Sequence, residues 1–396
     1  MKIALLCAGL GNIYRGHEIF AQDLFALLDG HADITLFKGA GAAAPRQVVV
    51  PTLARDAELL QHIRLPVSPR WHGAAVSQEQ LRIEAETFSY GALPQLLAGG
   101  YDVLHCLERE VADRLYSLRH LFAKTPKILF SNGGAIPAAD LPACDFVQEH
   151  TPYNLARSAR RKAFMVPHGV DVECFHPGVR SDFRARHGIP DDAFVVISVG
   201  TVCYWHKRMD HVIREVAALP QAHLLIVGQD SADTPAIQAL GRQLMPGRIT
   251  FTRMAHEDLP QAYAAADVFV LGSLFETFGI VYIEAMAMGL PVVSTNHPNQ
   301  RQIIQAGVFI DMAAPGALSA ALRDTPRERW DALRREGRAI AVRDYSLAAL
   351  RQRYLEHYAR IAAAPTQLPV DSTGRRLRAH AHNLWRQLRR SVGVTA

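Results

Sequence analysis

No stretch of this 396-residue chain approaches the ~18 uninterrupted apolar residues that a membrane-spanning helix needs, so no transmembrane segment is expected. Lys2 with the run Ile3 to Leu10 is short for a signal peptide and meets Gly9-Leu10-Gly11 without a convincing cleavage site, which favours a buried first strand. Cysteine is sparse: Cys7, Cys106, Cys144, Cys174 and Cys203 are scattered, odd in number and without metal-ligand spacing. This argues against a disulfide framework, favours a reducing cytoplasm and predicts no structural zinc. No Asp-x-Asp pair stands at a strand end, so no metal is expected and no cofactor is called for.

Excess charge is also missing from most of the chain. Residues 1–370 hold 37 basic and 37 acidic side chains, and the net charge of +5 resides in the last 26 residues, which carry six arginines and one acid. A nucleic-acid groove needs basic residues spread over the folded body, so no nucleic-acid partner is expected. Within residues 375–392, Leu377, Ala381, Leu384, Trp385 and Leu388 form an apolar helical stripe flanked by Arg375, Arg378, Arg386 and Arg389. The pattern suits a helix lying on an anionic membrane, which would place a cytoplasmic protein peripherally on the inner face; packing back on the protein is the other reading.

Apolar content of 49% with 20% charged residues, over this length, implies a globular protein of two domains. Short β-branched runs alternate with helix-length segments, the pattern of parallel α/β sheets. Strands are predicted at Lys2 to Cys7, Ile34 to Phe37, Asp102 to Cys106, Lys127 to Phe130 and Phe146 to Gln148, then at Phe194 to Val199, His223 to Val227, Arg248 to Phe251, Val268 to Leu271, Val292 to Ser294 and Val308 to Ile310. Helices are predicted at Gly16 to Leu28, Glu79 to Leu97, Glu108 to Leu121, Met209 to Ala218, Thr234 to Leu244, Leu259 to Ala265 and Ile280 to Met288. The Pro- and Gly-containing stretch from Val166 to Pro177 marks the seam. It divides the chain into lobes 1–168 and 169–345, a helix at 346–361, and a linker and basic amphipathic tail at 362–396.

The most informative stretch is Glu276-Thr-Phe-Gly-Ile-Val-Tyr-Ile-Glu284-Ala-Met-Ala-Met-Gly-Leu-Pro291. A glycine turn leads into an apolar helix whose first amides, at Phe278, Gly279 and Ile280, lack intrahelical acceptors and attract phosphate. Eight residues at ~100° each bring Glu284 to roughly the same side as Glu276. One carboxylate can meet sugar hydroxyls and the other ribose hydroxyls, a pairing that suits a sugar nucleotide. Lys207 and Arg208 open another helix, where cations oppose the helix dipole unless an anion such as a diphosphate justifies them.

The 276–291 signature closely resembles the donor site of the family-four retaining glycosyltransferases, and matches cover residues 1 to about 361. The resemblance implies the α/β GT-B fold: two Rossmann-like lobes facing a central cleft, acceptor mainly on the first and nucleotide sugar mainly on the second, with the helix after Asp344-Tyr345-Ser346 crossing back. It implies that Lys207, Arg208 and Glu276 carry the catalysis, that Glu284 holds ribose, and that Arg253-Met254 stands where the family meets the nucleobase through backbone atoms. Gly11 and Arg15 of the first loop, and Asn132, are cleft candidates. There are departures. Thr201 stands where the family has a phosphate-binding arginine, a loss that Arg208 restores in charge. Asn132 replaces a histidine that faces the transferred sugar, and Asn-Gly also forms turns. Gly9-Leu10-Gly11 likewise serves a tight turn. The resemblance implies retaining transfer of a sugar from a nucleoside-diphosphate donor to a glycan, lipid-linked or small-molecule acceptor, as in envelope polysaccharide synthesis. A GT-B sugar-nucleotide epimerase and a catalytically weakened glycan- or nucleotide-binding protein are the alternatives.

Overall fold

The computed structural model describes residues 1–13, 16–62, 74–366 and 381. Arg15 and the stripe of residues 375–392, apart from Ala381, lie outside the described residues. Two sheets, each wholly parallel, organise the chain. The first contains β1 (Lys2–Cys7), β2 (Asp33–Lys38), β3 (Gln47–Val49), β4 (Val103–Cys106), β5 (Lys127–Ser131), β6 (Phe146–Glu149) and β7 (Ala163–Met165), in the order β3-β2-β1-β4-β5-β6-β7. The second contains β8 (Phe194–Val199), β9 (Ala222–Val227), β10 (Ile249–Thr252), β11 (Val268–Val270), β12 (Val292–Thr295) and β13 (Val308–Ile310), in the order β10-β9-β8-β11-β12-β13.

Parallel strands are joined by crossovers that put helices on both faces, so their sequences are apolar throughout rather than alternating. In β1 the alternation appears instead as a division between two cores. Ile3, Leu5 and Cys7 pack on one face with the first helix, Gly16–Leu28, while Ala4, Leu6 and Ala8 pack on the other with Phe88 and Leu115. The second sheet divides likewise, Ile197 and Val199 lying on one face and Val196 on the other. Among the described residues, no helix is long and apolar enough to cross a membrane.

The elements differ from the sequence reading mainly at the edges. β3 and β7, three residues each, flank the first sheet and have too few side chains to show a pattern. The predicted helix Glu108 to Leu121 is an α-helix over Arg109–Leu118 that tightens into a 3₁₀ turn, Arg119–Leu121. Helices Pro298–Ile304, Ala317–Asp324 and Arg327–Ile340 are additional.

The chain passes between the lobes twice, and the two passages pair. Val170 donates to the carbonyl of Tyr345 (2.8 Å) and Leu347 donates back to Val170 (3.2 Å). Ser346 then caps the helix Leu347–Ala363 by accepting from the Ala349 amide. Leu350, Tyr354, Tyr358 and Ile361, at helical spacing, enter the core of the first lobe.

A buried polar circuit fixes this helix. The Tyr358 hydroxyl meets His105 Nδ1 at 2.7 Å, and His105 Nε2 meets the Ser131 hydroxyl at 2.8 Å. Ser131 donates to Gln148 Oε1 (2.9 Å), and Gln148 Nε2 donates to the Tyr354 hydroxyl (2.9 Å) and the Val166 carbonyl (3.0 Å). Because Ser131 spends its proton on Gln148, it must accept from His105; Nε2 therefore carries the imidazole proton and Nδ1 accepts from Tyr358. Burial drives the His105 pKa down to about 3, which keeps the ring neutral as the circuit requires. Tyr358→Phe strips Nδ1 of its donor in a site closed to water. Chemical denaturation is expected to show a loss of about 1–3 kcal/mol, and an unchanged midpoint would remove the circuit from the account of stability.

Candidate active site

The second lobe collects its polar residues where β8 and β11 end. Beyond β8 the chain turns at Gly200, whose φ of 148° is accessible to glycine. A Cβ there would lie 2.9 Å from Lys207 Cε, so the lysine side chain is laid across the glycine. Lys207 Nζ donates to Glu276 Oε1 at 2.6 Å. The same oxygen accepts from the Ser273 hydroxyl at 2.6 Å, with His206 Nε2 at 3.4 Å. Glu276 is 4% exposed. Burial pushes its pKa up, but the Lys207 charge and the contacts from His206 and Lys207 outweigh that and bring it down to about 2.

The loop carrying Glu276 is held by its carbonyls. Asn299 Nδ2 donates to the carbonyls of Glu276 (2.8 Å) and Thr277 (3.1 Å), and Gln300 Nε2 adds a bond to that of Glu276 (2.9 Å). Asn154 of the first lobe reaches Thr277 O at 3.4 Å. Gly279, at φ 80°, starts the helix Ile280–Ala287, and a Cβ there would meet the Tyr282 ring at 2.7 Å. Phe278 points inward, its ring 4.8 Å from that of His168 at the seam and 5.9 Å from that of Tyr345.

Glu284, 2% exposed, lies in the same helix with both oxygens engaged. Oε1 meets His256 Nε2 at 2.7 Å and Oε2 accepts from the Tyr263 hydroxyl at 2.8 Å. Burial lowers the His256 pKa, but the bond to Glu284, with the charges of Glu284, Asp23 and Glu257, raises it overall. Asp23, on the first helix of the other lobe, titrates at about 6, pushed up by burial and by Glu284 and Asp171 against the opposing pull of His256. The electrostatics around Glu284 therefore span both lobes.

The remaining sequence candidates separate. Arg208 takes left-handed backbone angles (φ 49°), a conformation that costs a non-glycine residue of order 1–3 kcal/mol. Its Nη1 donates to the carbonyls of Met312 (2.9 Å) and Gly272 (3.3 Å), so it braces the helix Met209–Ala217. Thr201 and Arg253 are exposed, and Met254 packs on the core. Gly11, with φ 95°, sits where a Cβ would strike Ala40 O at 2.3 Å. Asn132 is buried: its Nδ2 donates to Ile136 O and Glu149 Oε1, and its Oδ1 accepts from the Ile136 amide, closing a turn within the first lobe. His206, Ser273, His256, Tyr263, Asn299 and Gln300 are absent from the sequence reading as site residues. Of these only His206, next to Lys207, carried a local signal.

Both clusters lie at the carboxyl ends of parallel strands, where open α/β sheets place their ligands. Residues 193–326 match the family described as Glycosyl transferases group 1. D-inositol 3-phosphate glycosyltransferase 1 of Catenulispora acidiphila is 33% identical over 198 residues, 46% of this chain and 47% of that protein. The chain thus spans about half the length of this relative. Sucrose-phosphate synthase of Thermosynechococcus elongatus is similar in structure, with a TM-score of 0.74 at 21% identity over 92% of this chain and 100% of that one. Anabaena HepE, solved in complex with UDP and glucose, gives a TM-score of 0.69 at 15% identity over 91% and 100%. The chain therefore has the GT-B fold, and its residues 193–326 match the glycosyl transferases group 1 family.

Proposed function

We propose that this protein is a retaining glycosyltransferase that moves a sugar from a nucleoside-diphosphate donor to a glycan, lipid-linked or small-molecule acceptor. The observation that carries the reading is the pair of half-buried Lys207 and buried Glu276, poised between a strand end and two helix starts. A half-buried ammonium bonded to one carboxylate has two further N–H groups to offer phosphate oxygens. The UDP and glucose bound to HepE and the glycosyltransferase activity named for the Catenulispora relative support the same chemistry.

In this reading the first amides of the helix Ile280–Ala287 and Lys207 hold the diphosphate, Glu276 orients the sugar and Glu284 receives ribose hydroxyls on lone pairs left by His256 and Tyr263. Arg208 contributes by holding the start of its helix, which fixes the Lys207 backbone. Transfer proceeds on one face. The bond from the anomeric carbon to the diphosphate breaks as the acceptor oxygen bonds to that carbon, and the acceptor proton passes to the departing phosphate oxygen. Lys207 and the amides stabilise the charge growing on that oxygen.

A thermal-shift panel of UDP-, GDP- and ADP-sugars identifies the donor, since a ligand at 100 times its dissociation constant stabilises by about 2.7 kcal/mol. No shift with any of them would overturn the reading. With the responding donor, Lys207→Ala is expected to lose on the order of 100-fold or more in turnover while keeping a cooperative unfolding transition. Wild-type turnover would remove Lys207 from the site. Glu284→Ala is expected to weaken nucleoside-diphosphate binding, as titration calorimetry would show, because ribose contacts exist before and during the reaction alike.

The Lys207 and Glu276 pair also predicts a pH dependence. A carboxylate whose folded pKa lies below its ordinary 4.5 adds stability that is fully present above 4.5 and is lost as the pH falls toward about 2. The stability difference between wild type and Glu276→Gln is therefore expected to stay level from neutrality to about pH 4.5 and to shrink below it. A gap constant down to pH 2, in urea titrations, would show that Glu276 is not held ionised by its partners.

A further inference from the structure

We infer that the first lobe contains a binding site for one zinc-class divalent cation, formed by Cys7, His17 and Glu108. One donor atom from each, a sulfur, an imidazole nitrogen and a carboxylate oxygen, lies within 4.8 Å of the other two. Sequence spacing hides the set because topology assembles it. Cys7 ends β1, Glu108 follows β4 and precedes the helix Arg109–Leu118, and His17 stands in the first turn of the helix Gly16–Leu28. β1 and β4 are neighbours from which the sheet is built outward in opposite directions. Cys7 and Glu108 thus stand on the two sides of the crevice where doubly wound sheets take their ligands.

The carboxylate is built for a further partner. Glu108 Oε1 accepts from the amides of Ala8 (2.8 Å) and Gly9 (3.4 Å), with His17 Nε2 at 3.5 Å. Among the described residues its Oε2 is buried with no hydrogen-bond partner, in a residue that is 8% exposed. Such an orphaned acceptor is costly unless something fills it. Two amides on one oxygen are also the outer contacts that orient a metal-binding carboxylate.

The donor set selects the metal class. Sulfur, nitrogen and oxygen from three side chains, with one position left open, match zinc, whereas magnesium and calcium take oxygen ligands throughout. The His17 side chain, 29% exposed, provides the entry route and the open side. On binding, the Cys7 thiol releases its proton to solvent as the sulfur-to-metal bond forms.

The full chain, stripped by chelation and dialysed against zinc, is expected to retain one ion per molecule by elemental analysis. Cobalt(II) in its place is expected to show a thiolate charge-transfer band and the strong visible bands of four-coordination. Cys7→Ser should abolish that charge-transfer band, and His17→Ala and Glu108→Gln should weaken zinc binding ~10-fold or more. His17→Ala alters a partly exposed helix start and keeps the test open if the two core variants do not fold. Substoichiometric zinc, a cobalt spectrum without the thiolate band, or unchanged affinity in His17→Ala would overturn the site. So would loss of binding in Cys174→Ser, which would trace the ion to the exposed cysteine. The readout is the ion rather than turnover, so the result is independent of the transferase reading.

Discussion

A sheet of parallel strands covers both of its faces, because most of its strands return through helices that lie on one side or the other. The rest of this molecule follows from that constraint. Strands such as Phe194–Val199 are apolar on both faces, which leaves charged side chains to the strand ends and to the loops beyond them. At the carboxyl ends the loops also deliver helix starts, with their unsatisfied amides. Lys207, Glu276 and Glu284 of the second lobe, and Cys7, His17 and Glu108 of the first, occupy equivalent places in two sheets built alike.

Charges brought to such places lose water and must be compensated locally. Glu276 shows the balance: burial alone would favour its protonated form, yet the Lys207 ammonium at 2.6 Å and the His206 imidazole at 3.4 Å keep it ionised. Glu284 is compensated differently, by an imidazole and a phenol whose bonds fix both of its oxygens. The backbone pays a share of the positioning as well, in the left-handed angles of Arg208 and Gly279. A buried carboxylate with a rigid set of donors is a preorganised dipole array, which loses little reorganisation energy when a ligand arrives.

What could be read in the sequence was what repeats locally. Lys2 to Cys7, Gly16 to Leu28 and Thr234 to Leu244 were legible because their apolar spacing is determined by one face or two faces of burial. The helix Arg327–Ile340 was not: Leu333, Gly337 and Ile340 are its only buried residues, set among arginines and glutamates. The site divides by the same rule. Glu276, Gly279 and Glu284 stand within one motif, but Tyr263 and His256, which complete the Glu284 environment, come from 21 and 28 residues away and are residue types that usually mean nothing special. Arg208 was read from its charge, while its partners are two backbone carbonyls that no sequence pattern advertises.

The paired passages at Val170 and Leu347 have a mechanical consequence. Two lobes joined by one strand can swivel about any direction, whereas two connections tied side by side leave a single soft axis running through the pair. Any relative motion of the lobes is confined by that axis to a swing in one plane, like a door on a short spine. The His168 and Phe278 rings, in contact beside the spine, link it to the loop that carries Glu276.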